Sequence, residues 1–364
     1  MVELPYHNLE PRKAIPSYWN PPDDGPDERL YLHLGESPFP PTANVVEAIC
    51  RAAESVNYYP DTNAVLLRRD LADYVGHGVT PENIIVGNGS DDLIQLIFQT
   101  FLPRRGKVFT LEPTFFYYGF CSARLGAHYI PLVRESAPDY DLPPMGEILT
   151  FVFEVAPNII FLANPNNPTG ALVDEERVSR LIARAPHIIV VDECYFEFCS
   201  QTVVEQIHTC KKLIVLRSLS KSFSLAGVRV GYAVACRELI EAMENMALTF
   251  PVNAIAQAAA RAALRETDIM KERVEKTRMW RNKLSIEILS LGLDVSTSHT
   301  NFLLISSGGS IRLADDCAER LAQKGILVSD QSATPGMEGT AIRVTVTDPG
   351  RIQRLVGELR RCLV

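Results

Sequence analysis

Residues 159–195, IIFLANPNNPTGALVDEERVSRLIARAPHIIVVDECY, decide the fold. Two short, nearly continuous apolar runs stand at 159–163 and 188–191. Between them lies a helical period, EERVSRLIARA, introduced by Asp174 as an N-cap. Apolar runs of this length suit strands buried on both faces, and strands joined through a helix run parallel. Similar runs recur at 84–86, 107–111, 213–216 and 228–235, with helical periods between them from about Asn44 onward. The expected fold class is α/β, with a large unit built on a mostly parallel sheet.

Working outward, residues 1–43 are rich in Pro, Asp and aromatics and carry PPDDGPDE at 21–28. They read as an N-terminal arm or lead-in. Residues 44–253 form the large unit. Residues 254–364 read as a smaller α+β unit that begins with a long linking helical stretch at 254–290. It continues with strands at 301–305 and 341–346, and Asp348-Pro349 opens a last helix with Pro at its first position. No internal repeat or low-complexity segment interrupts this order.

The chain has 364 residues, 46% of them hydrophobic and 22% charged, with a net charge of -8. A large core is affordable at this length, and the acidic balance offers no general attraction to nucleic acid or anionic lipid. No window approaches the roughly 18 apolar residues that span a bilayer, and residues 1–10 do not resemble a signal peptide. Cys50, Cys121, Cys194, Cys199, Cys210, Cys236, Cys317 and Cys362 lack metal-type spacing. They read as free thiols of a reducing compartment, so the expected location is cytoplasmic and the expected partner a small molecule, with no metal.

In open α/β sheets, ligands bind just beyond the carboxyl ends of the strands, so the residues after each run carry the chemistry. Gly87-Asn88-Gly89-Ser90-Asp91 precedes a helix, a turn that suits a phosphate, although a plain tight turn reads the same way. Pro113-Thr114-Phe115 places an aromatic where it could stack on a flat ring or simply join the core. The turn 164–170, NPNNPTG, can aim an asparagine amide at a ligand oxygen. Asp192 ends a buried run and needs a cationic partner such as a protonated pyridine nitrogen. Tyr195 stands three residues on. Residues 217–223, RSLSKSF, put Lys221 in a serine-rich loop where desolvation can free its amine to form an imine with an aldehyde. Ser218, Ser220 and Arg229 can take up a dianionic phosphate. Together these segments meet the requirements of a site for pyridoxal 5′-phosphate.

With these motifs in order, and with YYPD at 58–61, TNF at 300–302 and RVTV at 343–346, the sequence resembles the fold-type I pyridoxal-phosphate aminotransferases. The resemblance is nearest to the histidinol-phosphate aminotransferase branch and runs from about Leu32 to Val364. It implies that Lys221 is the Schiff-base lysine and proton shuttle, and that Asp192 partners the pyridine nitrogen. Asn167 and Tyr195 would hold the ring oxygen, and Phe115 would stack on the ring. Ser90, Asp91, Ser218, Ser220 and Arg229 would surround the phosphate. Tyr59 resembles a tyrosine that reaches the phosphate of a neighbouring subunit, which implies a homodimer with shared sites. Arg343 resembles the clamp for the substrate α-carboxylate.

Three departures from the family pattern concern the substrate end. An NENP-like segment is here Gly35-Glu36-Ser37-Pro38, beside His33, which could serve as an extra acid–base group or be structural. The arginine that usually follows a GI-hydrophobic segment is replaced by Ser329 and Asp330 after Gly325-Ile326-Leu327-Val328. The arm at 4–10 ends in Glu10 where kin often carry a basic residue. Each change removes donors or positive charge, or adds negative charge. The expected substrate is therefore not a phosphate ester, with a cationic, guanidino amino acid as candidate. An elimination–cyclisation enzyme on a hydroxyarginine-like substrate, and a decarboxylase resembling threonine-phosphate decarboxylase, share the same cofactor requirements.

Overall fold

The computed structural model describes residues 29–134, 140–307, 317–331, 334–335, 337 and 341–363. Its strands, in chain order, are β1 (Leu30–Leu32), β2 (Ile84–Gly87), β3 (Lys107–Glu112), β4 (His128–Val133), β5 (Ile159–Ala163) and β6 (Ile188–Asp192). They continue with β7 (Leu213–Ser218), β8 (Gly231–Ala235), β9 (Asp294–Val295), β10 (Phe302–Ser306), β11 (Ile326–Asp330) and β12 (Ala341–Thr345).

Seven strands form the larger sheet in the order β2-β8-β7-β6-β5-β3-β4. Every observed pair is parallel except those of β8, which is antiparallel to both neighbours. The reason lies in alternation. Ile159, Phe161 and Ala163 enter one core with Ile85, Ile214 and Ala233, while Ile160 and Leu162 enter another with Val86, Val191 and Val234. Each strand therefore buries both faces, and helices cover both. Ser90–Phe101 covers one side with Leu93, Ile94 and Ile97, and Glu175–Arg184 covers the other with Val178, Leu181 and Ile182. Asp174 caps the latter by accepting from Arg177 N at 2.9 Å, as its spacing predicts. The chain steps outward from β3 to β4, then returns to the far side of β3 at β5. In open α/β sheets such a reversal of strand order marks the strand ends beyond which ligands bind, here the carboxyl ends of β3 and β5.

The second sheet has the order β1-β11-β12-β10-β9, with β1 parallel to β11 and the other pairs antiparallel. Its core holds Leu30, Leu32, Leu303, Ile305, Ile326, Val328, Ile342 and Val344 under the C-terminal helix Pro349–Cys362. Thus Leu30–Leu32, within the stretch read as a lead-in, is a strand of this sheet. Three residues carry too little pattern to be recognised when their partner is as distant as Ile326.

The long helical stretch is two helices, Ala254–Leu264 and Thr267–Leu289, broken at Arg265-Glu266, where Thr42 and Asn44 side chains donate to the Glu266 carboxylate. The first packs Ala256, Ala259 and Ala260 into the larger sheet's core. The second buries Met270 and Val274 there and Leu284 and Ile288 in the core of the second sheet, so one rigid rod is anchored in both. The last strand of the larger sheet also starts later than its apolar run, because Ala226–Val228 is a 3-10 turn and Arg229 takes φ +60°. No helix of the described residues is long and apolar enough to cross a membrane. All eight cysteines are free, with Cys121, Cys194, Cys236 and Cys317 buried.

Candidate active site

Asp192 is the last residue of β6 and is nearly buried. Tyr118 Oη donates to its Oδ2 at 2.7 Å, and the Cys194 backbone N–H donates to Oδ1 at 3.1 Å. Burial pushes this carboxyl above its usual range, and the hydrogen bonds from Cys194 and Tyr118 pull it back. Phe115, in the loop after β3, meets the Tyr118 ring edge-on at 5.6 Å. The same loop is tied to its neighbour after β5 by Thr114 Oγ1 donating to Asn166 Oδ1 at 2.9 Å.

Lys221 follows β7, in a loop anchored by fully buried Leu219. Its Nζ donates to the Leu34 carbonyl at 2.8 Å. Burial, with Arg343 adding to it, lowers the amine to about 8. The segment opposite is Gly35, with φ +69°, a region that favours glycine. A Cβ there would lie 3.4 Å from Lys221 Nζ and 3.7 Å from the Tyr195 hydroxyl. Gly35 is fixed by its N–H to Thr345 Oγ1 at 3.0 Å and by Asn301 Nδ2 to its carbonyl at 2.8 Å. The buried Tyr195 ring stands edge-on to Phe302 at 5.3 Å, and burial raises its phenol above the ordinary value.

The three asparagines of the turn after β5 divide their work. Asn164 Oδ1 accepts from Val173 N at 2.8 Å, and Asn166 Nδ2 donates to the Pro113 carbonyl at 2.9 Å, so both hold the loop. Asn167, half-buried, accepts through Oδ1 from Arg343 Nη1. Arg343 comes from β12 of the second sheet. Its Nη2 donates to the His33 carbonyl, its guanidinium lies 5.0 Å from the Phe302 ring centroid, and burial lowers its pKa. Ser329 of β11 is directly opposite Arg343 in the ladder, and its hydroxyl accepts from Gln331 Nε2 at 2.9 Å.

A second group gathers at the start of helix Ser90–Phe101. Gly89 takes φ +85°, and a Cβ on Gly231 would fall 2.5 Å from Ser90 N, so two glycines bring β8 against the helix N-terminus. Arg229 Nη2 lies 3.1 Å from Asp91 Oδ2. Ser218 and Ser220 are buried, with Ser220 N donating to Ser218 Oγ at 3.2 Å. A helix N-terminus, two hydroxyls and a guanidinium form a donor set suited to a phosphate dianion. A Cβ on Gly89 would collide with Arg229 Nη2, so this cradle is closed to any side chain at that position. These residues fit a phosphorylated pyridine aldehyde, with Lys221 as amine and Asp192 as acid–base partner.

Tyr59 is 84% exposed and stacks on Phe250 at 4.5 Å, so within one chain it points to solvent. His33 is only 1% exposed, with its ring tilted against Tyr31, and its contact with Arg343 runs through the backbone carbonyl. The ring therefore sits in the interior, where sequence reading had left a site role open. Glu10 lies outside the described residues. Sequence reasoning assigned no role to Tyr118, Asn301 or Thr345. The available signals were the aromatic run at 115–118 and the motifs TNF and RVTV, which name the residues but not the hydrogen bonds they make.

An amine, a buried carboxylate at the neighbouring strand end and an arginine that bears on the amine are what a cofactor-dependent enzyme acting on amino acids needs. The chain belongs to the class I and II aminotransferases, whose family model, Aminotransferase class I and II, matches residues 28–359. It is 37% identical over 339 residues to a histidinol-phosphate aminotransferase of Thermoanaerobacter sp. (strain X514), covering 92% of this chain and 93% of that protein. It is 34% identical to histidinol-phosphate aminotransferase 2 of Archaeoglobus fulgidus, covering 93% and 95%. Among solved structures it resembles the histidinol-phosphate aminotransferase of Sinorhizobium meliloti in complex with pyridoxal-5′-phosphate. The TM-score is 0.84 at 25% identity, over 91% of this chain and 90% of that one.

Proposed function

We propose that this aminotransferase binds pyridoxal 5′-phosphate at Lys221 and acts on a non-phosphorylated amino acid, with a cationic guanidino side chain as the specific candidate. The observation that carries the cofactor assignment is that Lys221 Nζ and the Tyr195 hydroxyl flank Gly35, with Arg343 of the second sheet bonded to Asn167 and to the His33 carbonyl, while Asp192 ends the strand beside the one that leads to Lys221. When bound, the cofactor supplies an electron-poor ring that accepts the pair left when a Cα bond breaks.

The chain's own residues divide the remaining work. Lys221 Nζ, its pKa lowered to about 8, would hold the cofactor through its aldehyde and, when released by substrate, would serve as the base for the Cα proton. Asp192 would hold a proton on the ring nitrogen, and Tyr195 and Asn167 would hydrogen-bond the ring oxygen. Phe115 would stack on the ring. Ser90, Ser218, Ser220 and Arg229 would hold the phosphate, with Asp91 contributing its backbone N–H at the helix N-terminus and its carboxylate orienting Arg229. Arg343 grips the α-carboxylate, and its buried guanidinium is preoriented by Asn167 and the His33 carbonyl. Tyr59 completes the phosphate shell of a second copy in a homodimer.

Support for the substrate class comes from Ser329. It stands on the same sheet face as Arg343, directly opposite, and offers a hydroxyl already engaged by Gln331 rather than a counter-charge. Histidinol phosphate, the substrate class in the names of the relatives, is the competing reading. Purified, cofactor-loaded protein is mixed with single amino acids, basic ones included, and with histidinol phosphate, without a keto-acid acceptor. Lys221→Ala serves as the blank. One equivalent of keto acid from a basic, non-phosphorylated amino acid supports the proposal. Preference for histidinol phosphate overturns the substrate assignment, and repeated turnover without an acceptor overturns simple transamination.

A further inference from the structure

Tyr118 and Asp192 meet where neither reaches solvent: Tyr118 is fully buried and Asp192 is 6% exposed. The 2.7 Å hydrogen bond between them is held from several sides. The Tyr118 ring stacks on Phe161 at 4.6 Å with 15° between planes, and Phe115 meets it edge-on. Ser122 Oγ donates to the Tyr118 carbonyl one turn back, at 2.8 Å. A carboxylate in such surroundings is costly unless charge-assisted hydrogen bonds reach it. Two do, one to each oxygen, leaving each oxygen capacity for a further donor. The Tyr118 phenol is pushed well above its ordinary range, by burial first and by Asp192 next, so Tyr118 keeps its proton and remains the donor. The titratable groups that bear on Asp192 are Tyr118 from helix Tyr117–Arg124, Cys194 beyond β6 and the like-charged Asp91 from helix Ser90–Phe101.

We propose that Tyr118 is a positioning residue whose hydroxyl holds the Asp192 carboxylate charged and in one orientation, so that Asp192 can keep a proton on the cofactor's ring nitrogen. This rests on the reading of Asp192 given above. A space-filling role alone would be served equally by phenylalanine, which keeps the ring and its stack on Phe161.

The test uses Tyr118→Phe in the full-length, cofactor-loaded enzyme. Pyridoxal phosphate labelled with nitrogen-15 in the ring reports protonation directly by NMR. The expected result is a ring-nitrogen resonance displaced toward the unprotonated position. The expected kcat falls on the order of 10- to 100-fold, the loss of one hydrogen bond to a charged group, with KM within about threefold. In an Asp192→Asn background the same substitution should change neither value further. An unchanged resonance and kcat in Tyr118→Phe overturns the proposal, and so does an undiminished loss in the Asp192→Asn background. Should Tyr118→Phe fail to fold, as judged by thermal melting, 3-fluorotyrosine at position 118 keeps the packing and strengthens the donor. The ring-nitrogen resonance should then move toward the protonated position, and no movement overturns the proposal. Asp192→Asn leaving the resonance of the parent enzyme untouched would instead sink the assignment of Asp192. A displaced resonance in Asp192→Asn with none in Tyr118→Phe sinks the Tyr118 proposal alone.

Discussion

At the scale of single residues, Lys221 and Arg343 bear on each other, because the buried guanidinium helps to keep the amine's pKa low. Only an unprotonated amine attacks an aldehyde. Capture of pyridoxal phosphate by the cofactor-free chain should therefore speed up about tenfold per pH unit below 8 and level off above it, rather than continue to rise toward the ordinary lysine value. Stopped-flow absorbance across pH 6 to 10 measures this (roughly the span around the shifted value). Arg343 is gripped by Asn167 and the His33 carbonyl in a planar, forked geometry that lysine cannot copy. Arg343→Lys should raise KM for the amino acid about tenfold or more while kcat changes less, in steady-state assays.

At the scale of elements, two close approaches decide what the site can hold. Gly231 lets β8 lie against the N-terminus of helix Ser90–Phe101, and Gly231→Ala places a methyl 2.5 Å from Ser90 N. One element must then shift, and retention of pyridoxal phosphate, followed by equilibrium dialysis, should weaken on the order of tenfold or more. The second approach is β11 beside β12. Ser329→Arg would set a guanidinium next to Arg343 and should lower KM for a phosphorylated amino acid about tenfold, read by comparing phosphorylated and plain substrates. At the carboxyl end of the larger sheet, Arg217 of β7 and Glu193 form a buried ion pair at 2.9 Å, with the Phe196 ring 3.8 Å from the guanidinium. Glu193→Ala would strand the charge and should cost about 3–5 kcal/mol in denaturant unfolding.

At the scale of the whole molecule, helix Thr267–Leu289 carries core residues of both sheets, so Lys221 on one side and Arg343 on the other are held on a common frame. Tyr59 and Phe250 are exposed and stacked on each other, and Tyr58 and Leu248, their near neighbours in sequence, are exposed too. In the proposed homodimer this aromatic pair would be covered. Sedimentation should give a two-chain species, and Tyr59→Phe should weaken cofactor retention without dissociating it.

The order of most elements was legible in the sequence, and so were most of the residues proposed to hold the cofactor. Strands buried on both faces leave continuous apolar runs, and in such a sheet the chemistry collects at their carboxyl ends, so Asp192, Asn167 and Lys221 could be read locally. What only the tertiary structure decided were contacts between residues far apart in the chain. Leu30–Leu32 pairs with β11, Asn301 and Thr345 fix Gly35, Ser329 comes opposite Arg343, and Tyr118 reaches Asp192. None of these follows from periodicity, because periodicity records which face a residue shows to the core and not which distant side chain it meets there.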